Sequence, residues 1–147
     1  MRIRTVLVAL AGLLLVVLSA CSREAGPTPQ GPGDDPGPDA LRVKLNALTV
    51  DVCYRTPTEI DPPSCQKYVT QLASVPGTAR EFARGDHPEL AEAANALEKS
   101  IRAYRGNGCG TGGRPEACTE SLVDMAEALG NVESGVLRLP EVSAQPS

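Results

Sequence analysis

Aromatic residues are nearly absent from this sequence. It holds no tryptophan, one phenylalanine (Phe82) and three tyrosines (Tyr54, Tyr68, Tyr104) in 147 residues. A core must therefore be assembled from Leu, Val, Ala and Ile, and it will be small. Histidine occurs once, at His87. A nucleophile–base pair needs a histidine beside a free thiol or a hydroxyl on an organised turn, and no Gly-x-Ser-x-Gly elbow is present. A zinc site draws on several His or Cys ligands, and one histidine in the first turn of a helix does not supply them. The sequence thus names no catalytic residue, no cofactor-binding residue and no metal ligand. Positive charge is also short: 14 basic residues stand against 18 acidic ones, a net charge of −4. That surplus opposes binding to nucleic acid or to anionic lipid headgroups.

What the sequence does have begins at its first residues. Arg2 and Arg4 give a short positive start, and residues 5–18 then run without a charge. The run matches the apolar core of a signal peptide and falls short of the ~20 residues that a membrane-spanning helix needs. It ends in Leu18-Ser19-Ala20-Cys21. Small residues fit a peptidase cleft, and a thiol immediately after the cut can carry a lipid thioether. Charge, apolar core and this tetrapeptide, in order and in register, resemble the precursor of a bacterial lipoprotein, of the small actinobacterial type. The lipobox of that family is an aliphatic residue, two small residues and a cysteine, and all four positions match here. The resemblance implies that residues 1–20 are cleaved off and that Cys21, the first mature residue, carries diacylglycerol. It covers 21 residues and implies processing and an address, the extracytoplasmic face of the cell membrane, without an activity. An ordinary secretory signal with a chance cysteine is the plainer alternative. The removed segment holds two of the basic residues and none of the acidic ones, so the remaining chain carries a net charge of −6. Membrane attachment then falls to the acyl chains, and two chains anchor stably where one does not.

Residues 21–38 are dominated by proline and glycine. They cannot build a core and read as a disordered tether, spanning roughly 20–30 Å. Residues 39–139 read as one helical domain, and residues 140–147 as a disordered tail. Asp39 is placed to cap the first helix, whose apolar face is Leu41, Leu45, Leu48 and Val52. Partial alternation over the same residues leaves a strand open. Three prolines put a loop between Tyr54 and Ser64, and Ser64 is placed to cap a helix with Tyr68, Val69, Leu72 and Val75 on one face. Pro76-Gly77 breaks that helix, and a second segment with Phe82 stops at Gly85. Asp86-His87-Pro88-Glu89 has the pattern of a capping box, with proline in the first turn. Leu90, Ala94, Leu97, Ile101 and Tyr104 follow at alternating steps of four and three, as far as Gly106. Pro115 opens a last helix with Cys118, Leu122, Met125 and Leu129 on its face and Gly130 as its expected end.

With Cys21 set aside, Cys53, Cys65, Cys109 and Cys118 remain. An even number in an exported chain argues for two bridges. Cys65 and Cys118 each begin a segment with apolar residues four and seven positions on, and Asn46-Ala47-Leu48 and Tyr54-Arg55 echo Asn95-Ala96-Leu97 and Tyr104-Arg105. A duplication would explain this, and so would the general likeness of short amphipathic helices. Either way the expected fold is all-α: a small disulfide-stapled bundle of about four helices in two αα-hairpins. The layout favours Cys53–Cys65 and Cys109–Cys118, each inside one hairpin, and leaves open the two connectivities that cross between hairpins.

Three other patterns carry little. Gly108-Cys109-Gly110-Thr111-Gly112-Gly113 matches the dinucleotide fingerprint G-x-G-x-x-G, but that chemistry needs a strand before the loop, and here a helix is expected. Arg84-Gly85-Asp86 matches an adhesion tripeptide and is better explained as a helix end followed by a cap. Asp51, Glu59 and Asp61 form no more than a loop rich in carboxylates. The reading that follows is a non-enzymatic, membrane-anchored interaction module, held by lipid on Cys21 and facing an envelope or extracellular protein. A carrier of a small apolar ligand is the second reading, and a hydrolase the last.

Overall fold

A computed structural model describes residues 37–140. The expected signal peptide, lipobox and Cys21, nearly all of the tether, and the tail beyond Pro140 lie outside the described residues. Among the described residues the chain is helical throughout and has no strand. Five α-helices of seven residues or more, α1 (Pro38–Thr49), α3 (Gln66–Leu72), α4 (Val75–Phe82), α5 (Pro88–Gly106) and α6 (Pro115–Leu137), are joined by one four-residue helix, α2 (Val52–Arg55), and two 3-10 turns, Pro62–Cys65 and Cys109–Thr111. None of these helices is long and apolar enough to cross a membrane.

α5 and α6 form a long antiparallel hairpin, and the shorter helices wrap it. The apolar positions anticipated on α5, Leu90, Ala94, Leu97, Ile101 and Tyr104, are all buried. On α6 the stripe Cys118, Leu122, Met125 and Leu129 is buried and continues through Val132 and Val136. α1 adds Leu41, Leu45 and Leu48, so its first reading as helix holds and the strand alternative falls. Burying each such leucine stabilises the bundle by roughly 1.5–3 kcal/mol, before the entropy of ordering it. Ion pairs add little: Arg80–Glu98 at 2.7 Å ties α4 to α5 from the surface, where such pairs contribute about 0–1 kcal/mol.

Several expected boundaries move. Asp39 does not cap α1. The cap position is Gly37, Pro38 opens the helix, and the Asp39 carboxylate pairs with Arg42 one turn on. Ser64 does not cap α3, because its hydroxyl donates back to the Asp61 carbonyl within the 3-10 turn, at 2.6 Å. Asp86 stands one residue too early: His87 holds the cap position of α5 and makes no side-chain capping bond. Gly130 does not end α6, which runs seven residues further, to Leu137. Pro76 opens α4 and does not break a longer helix, the interruption falling at Ala73-Ser74. Val52 is 53% exposed, because α1 stops at Thr49 and Val52 starts a new helix with a different face outward.

The extra length of α6 has a partner. Arg42, on α1, donates through Nη2 to the carbonyls of Leu139 (2.7 Å) and Val136 (3.3 Å). A cation there satisfies carbonyls that a helix end leaves without donors, and it meets the negative end of the helix dipole. The first helix thereby holds the end of the last one.

Candidate functional site

The four cysteines of the domain are joined in sequence order. Cys53–Cys65 and Cys109–Cys118 are bonded, with Cα separations of 5.8 and 5.4 Å. The favoured local connectivity is therefore the one formed, and the crossing alternatives are not. All four cysteines are buried. The two 3-10 turns that carry Cys65 and Cys109 pack on each other, and Gln66 lies against Gly110. The bridges thus gather at one end of the bundle. Tyr104 fastens that end by donating its hydroxyl to the Pro62 carbonyl at 2.6 Å.

The glycine-rich loop is absorbed into the same staple. It leaves α5, a helix, and it contains a disulfide cysteine. Gly112 takes φ +90°, a conformation that side chains resist, and a Cβ on Gly113 would fall 1.9 Å from the Asn107 carbonyl oxygen. The glycines thus let a short loop fold back on the end of α5. His87 and its neighbours Arg84, Gly85 and Asp86 sit in the turn between α4 and α5, with Arg84, Gly85 and Asp86 exposed. The three loop carboxylates separate by task. Asp51 caps α2 by accepting from the Cys53 amide at 2.8 Å, Asp61 heads a 3-10 turn, and Glu59 is exposed. Among the described residues no group of three or more His, Cys, Asp or Glu side chains is placed to hold a metal.

The feature that sequence reasoning missed lies beside the first bridge. A hollow of about 380 Å³ opens there, lined by Asp51, Val52, Ile60, Lys67, Tyr68 and Gln71 among others. Tyr68 was legible as an apolar-face residue, and it is buried, 4% exposed. Its hydroxyl is buried as well and has no hydrogen-bond partner among the described residues. Burial first, and then the nearby Asp51 carboxylate and Tyr54, push its pKa well above the ordinary tyrosine range, so the phenol stays protonated. No periodicity in the sequence could have signalled this, because a helical repeat predicts a face and not the partner of one hydroxyl.

The outward face of α1 leads to the same hollow. Ala40, Val43, Ala47 and Val50 recur at helical spacing and are all exposed, Val43 and Val50 by 70% and 69%. With Val52 at the rim, this segment holds three of the five large apolar residues that the described domain leaves exposed. Two other hollows are built differently. One of about 260 Å³, between α5 and α6, is rimmed by Lys99, Asp124, Glu127 and Asn131 over small residues. One of about 190 Å³ lies by the second bridge, beside Arg105 and Gln66. In neither is there a buried polar side chain lacking a partner. In comparisons with known proteins, no family model, no curated protein and no solved structure matches the chain.

Proposed function

We propose that the chain is the precursor of a bacterial lipoprotein whose domain works as a non-enzymatic interaction module on the extracytoplasmic face of the cell membrane. Residues 1–20 are the signal peptide, and Cys21 carries the lipid. The observation that carries this reading is how the cysteines divide. The four cysteines of the bundle pair with one another, and the fifth, Cys21, closes a lipobox behind an apolar run. Two buried bridges suit an oxidising compartment, which is where that signal would send the chain. The proline- and glycine-rich residues 22–36 link Cys21 to the bundle at Gly37, so an acidic domain can stay near a membrane without adhering to it.

The interaction reading rests on the exposed valines of α1 and α2, since apolar patches left in water mark surfaces that meet something. Metabolic labelling with an alkyne fatty acid in a lipidating bacterium tests the anchor. The wild-type chain takes up label and fractionates with membranes. A Cys21→Ala variant loses both and keeps Cys53–Cys65 and Cys109–Cys118 in a non-reducing peptide map. A wild-type chain without label, or a variant that keeps it, overturns the anchor. A photoreactive residue at Val43 or Val50 tests the module in intact cells, where a discrete adduct is expected and its absence at both positions counts against the reading.

A further inference from the structure

Tyr68 Oη is the one buried side-chain polar atom among the described residues without a hydrogen-bond partner. Folded proteins rarely leave such an atom alone, and where they do the site commonly has a use. The same fold satisfies its other fully buried tyrosine, Tyr104, with the Pro62 carbonyl. Beside Tyr68, Asp51 spends Oδ1 on the Cys53 amide, while Oδ2 makes no hydrogen bond among the described residues. The hollow therefore offers one donor and one acceptor next to two aliphatic side chains, Val52 and Ile60.

We propose that this hollow binds an extended main-chain segment of a partner protein, with Tyr68 Oη–H donating to a peptide carbonyl, Asp51 Oδ2 accepting from a peptide N–H, and an aliphatic side chain resting on Val52 and Ile60. The proposal builds on the interaction-module reading and gives that module its ligand chemistry. Four features select a peptide. A phenol that stays protonated needs an acceptor and cannot serve as one for a charged donor. The adjacent Asp51 carboxylate repels an anionic acceptor such as phosphate, so the acceptor is neutral, as an amide carbonyl is. An amide also supplies the N–H that Asp51 lacks. The volume, about 380 Å³, lies at the small end of ligand sites and suits one or two residues of chain. A sugar would find no exposed aromatic ring to stack on, because Tyr68 is buried and the described residues hold no tryptophan. The valine stripe of α1, running to Val52, extends the contact beyond the hollow.

The test uses the full chain in detergent, both bridges formed, and N-acetyl-L-valine N-methylamide as the probe. In NMR titrations the ring signals of Tyr68 and the amides of Cys53 and Gln71 shift saturably. Tyr68→Phe abolishes those shifts, while its melting temperature stays the same or rises, because it deletes a hydroxyl that has no partner. Asp51→Asn weakens binding several-fold, and Lys99→Ala, in the groove between α5 and α6, leaves it unchanged. A lower melting temperature for Tyr68→Phe would mean that internal water satisfies the hydroxyl, and would overturn the proposal. So would equal shifts in Tyr68→Phe, saturable binding of methyl β-glucoside at the same signals, or no saturable shift at all. If the probe fails while the Val43 or Val50 adduct still forms in cells, the module stands and only this assignment falls.

Discussion

Two buried tyrosines occupy opposite situations in one small core. Tyr104 gives its hydroxyl to Pro62, and Tyr68 gives its hydroxyl to no described residue. Deleting the first should leave a carbonyl without its donor, so Tyr104→Phe is expected to cost about 1–3 kcal/mol in denaturant unfolding. Burial raises the pKa of both, and for Tyr104 Asp61 adds to it. The consequence for pH follows from linkage. Below the ordinary value of 10.0 both folded and unfolded tyrosines are neutral and stability does not depend on them. Above it the unfolded chain loses protons that the folded chain retains, and stability falls by about 1.4 kcal/mol per pH unit for each such tyrosine, until the folded pKa is passed. Urea melts between pH 9 and 11.5 should show this decline, with a shallower slope in Tyr68→Phe.

At the scale of the helices, proline does the work that capping side chains were expected to do. Pro38, Pro62, Pro76, Pro88 and Pro115 each stand in the first two positions of their element, where a fixed φ is already helical and the missing N–H has no intrahelical partner to lose. Asp51 alone, among the described helices, makes a side-chain capping bond at the cap position. This explains why the apolar faces were readable while the helix starts slipped: Asp39, Ser64 and Asp86 have capping chemistry, but the neighbouring prolines set the starts. The end of α6 slipped for a tertiary reason. Gly130 would stop an isolated helix, but Val132 and Val136 continue the buried stripe and Arg42 holds the carbonyls beyond. Glycines within helices then divide by their surroundings. Gly77 in α4 has nothing within 4 Å of an added Cβ, so Gly77→Ala should stabilise by about 0.5–1 kcal/mol. At Gly135 an added Cβ would meet Leu90 Cδ1 at 2.9 Å, and Leu90 is fully buried, so Gly135→Ala should destabilise by about 1–3 kcal/mol. Thermal melts of the two variants, with shifts of opposite sign, check this.

For the molecule as a whole, the bridges were the part of the site most legible in sequence. Setting Cys21 aside left an even number, and the spacing put each pair across one loop. Tyr68 and its hollow were not legible, because they depend on how the chain between α1 and α3 folds around a bridge. Both bridges close short loops, of sequence separation 12 and 9. In the loop-entropy account each is worth about 3 kcal/mol, so a Cys109→Ser/Cys118→Ser double variant should lose about that much in guanidinium unfolding, out of a total of roughly 5–15 kcal/mol for a domain of this kind.

That nearest-neighbour connectivity also bears on how the bundle is made. A chain threaded outward from its N-terminus presents Cys53 and Cys65 to an oxidant before Cys109 has emerged, and a bond formed on first encounter between them is the native one. Cys109 and Cys118 then arrive with no earlier thiol of the bundle still reduced. Oxidation in order of emergence yields the correct pairing without proofreading, so the fold makes no demand on a disulfide isomerase.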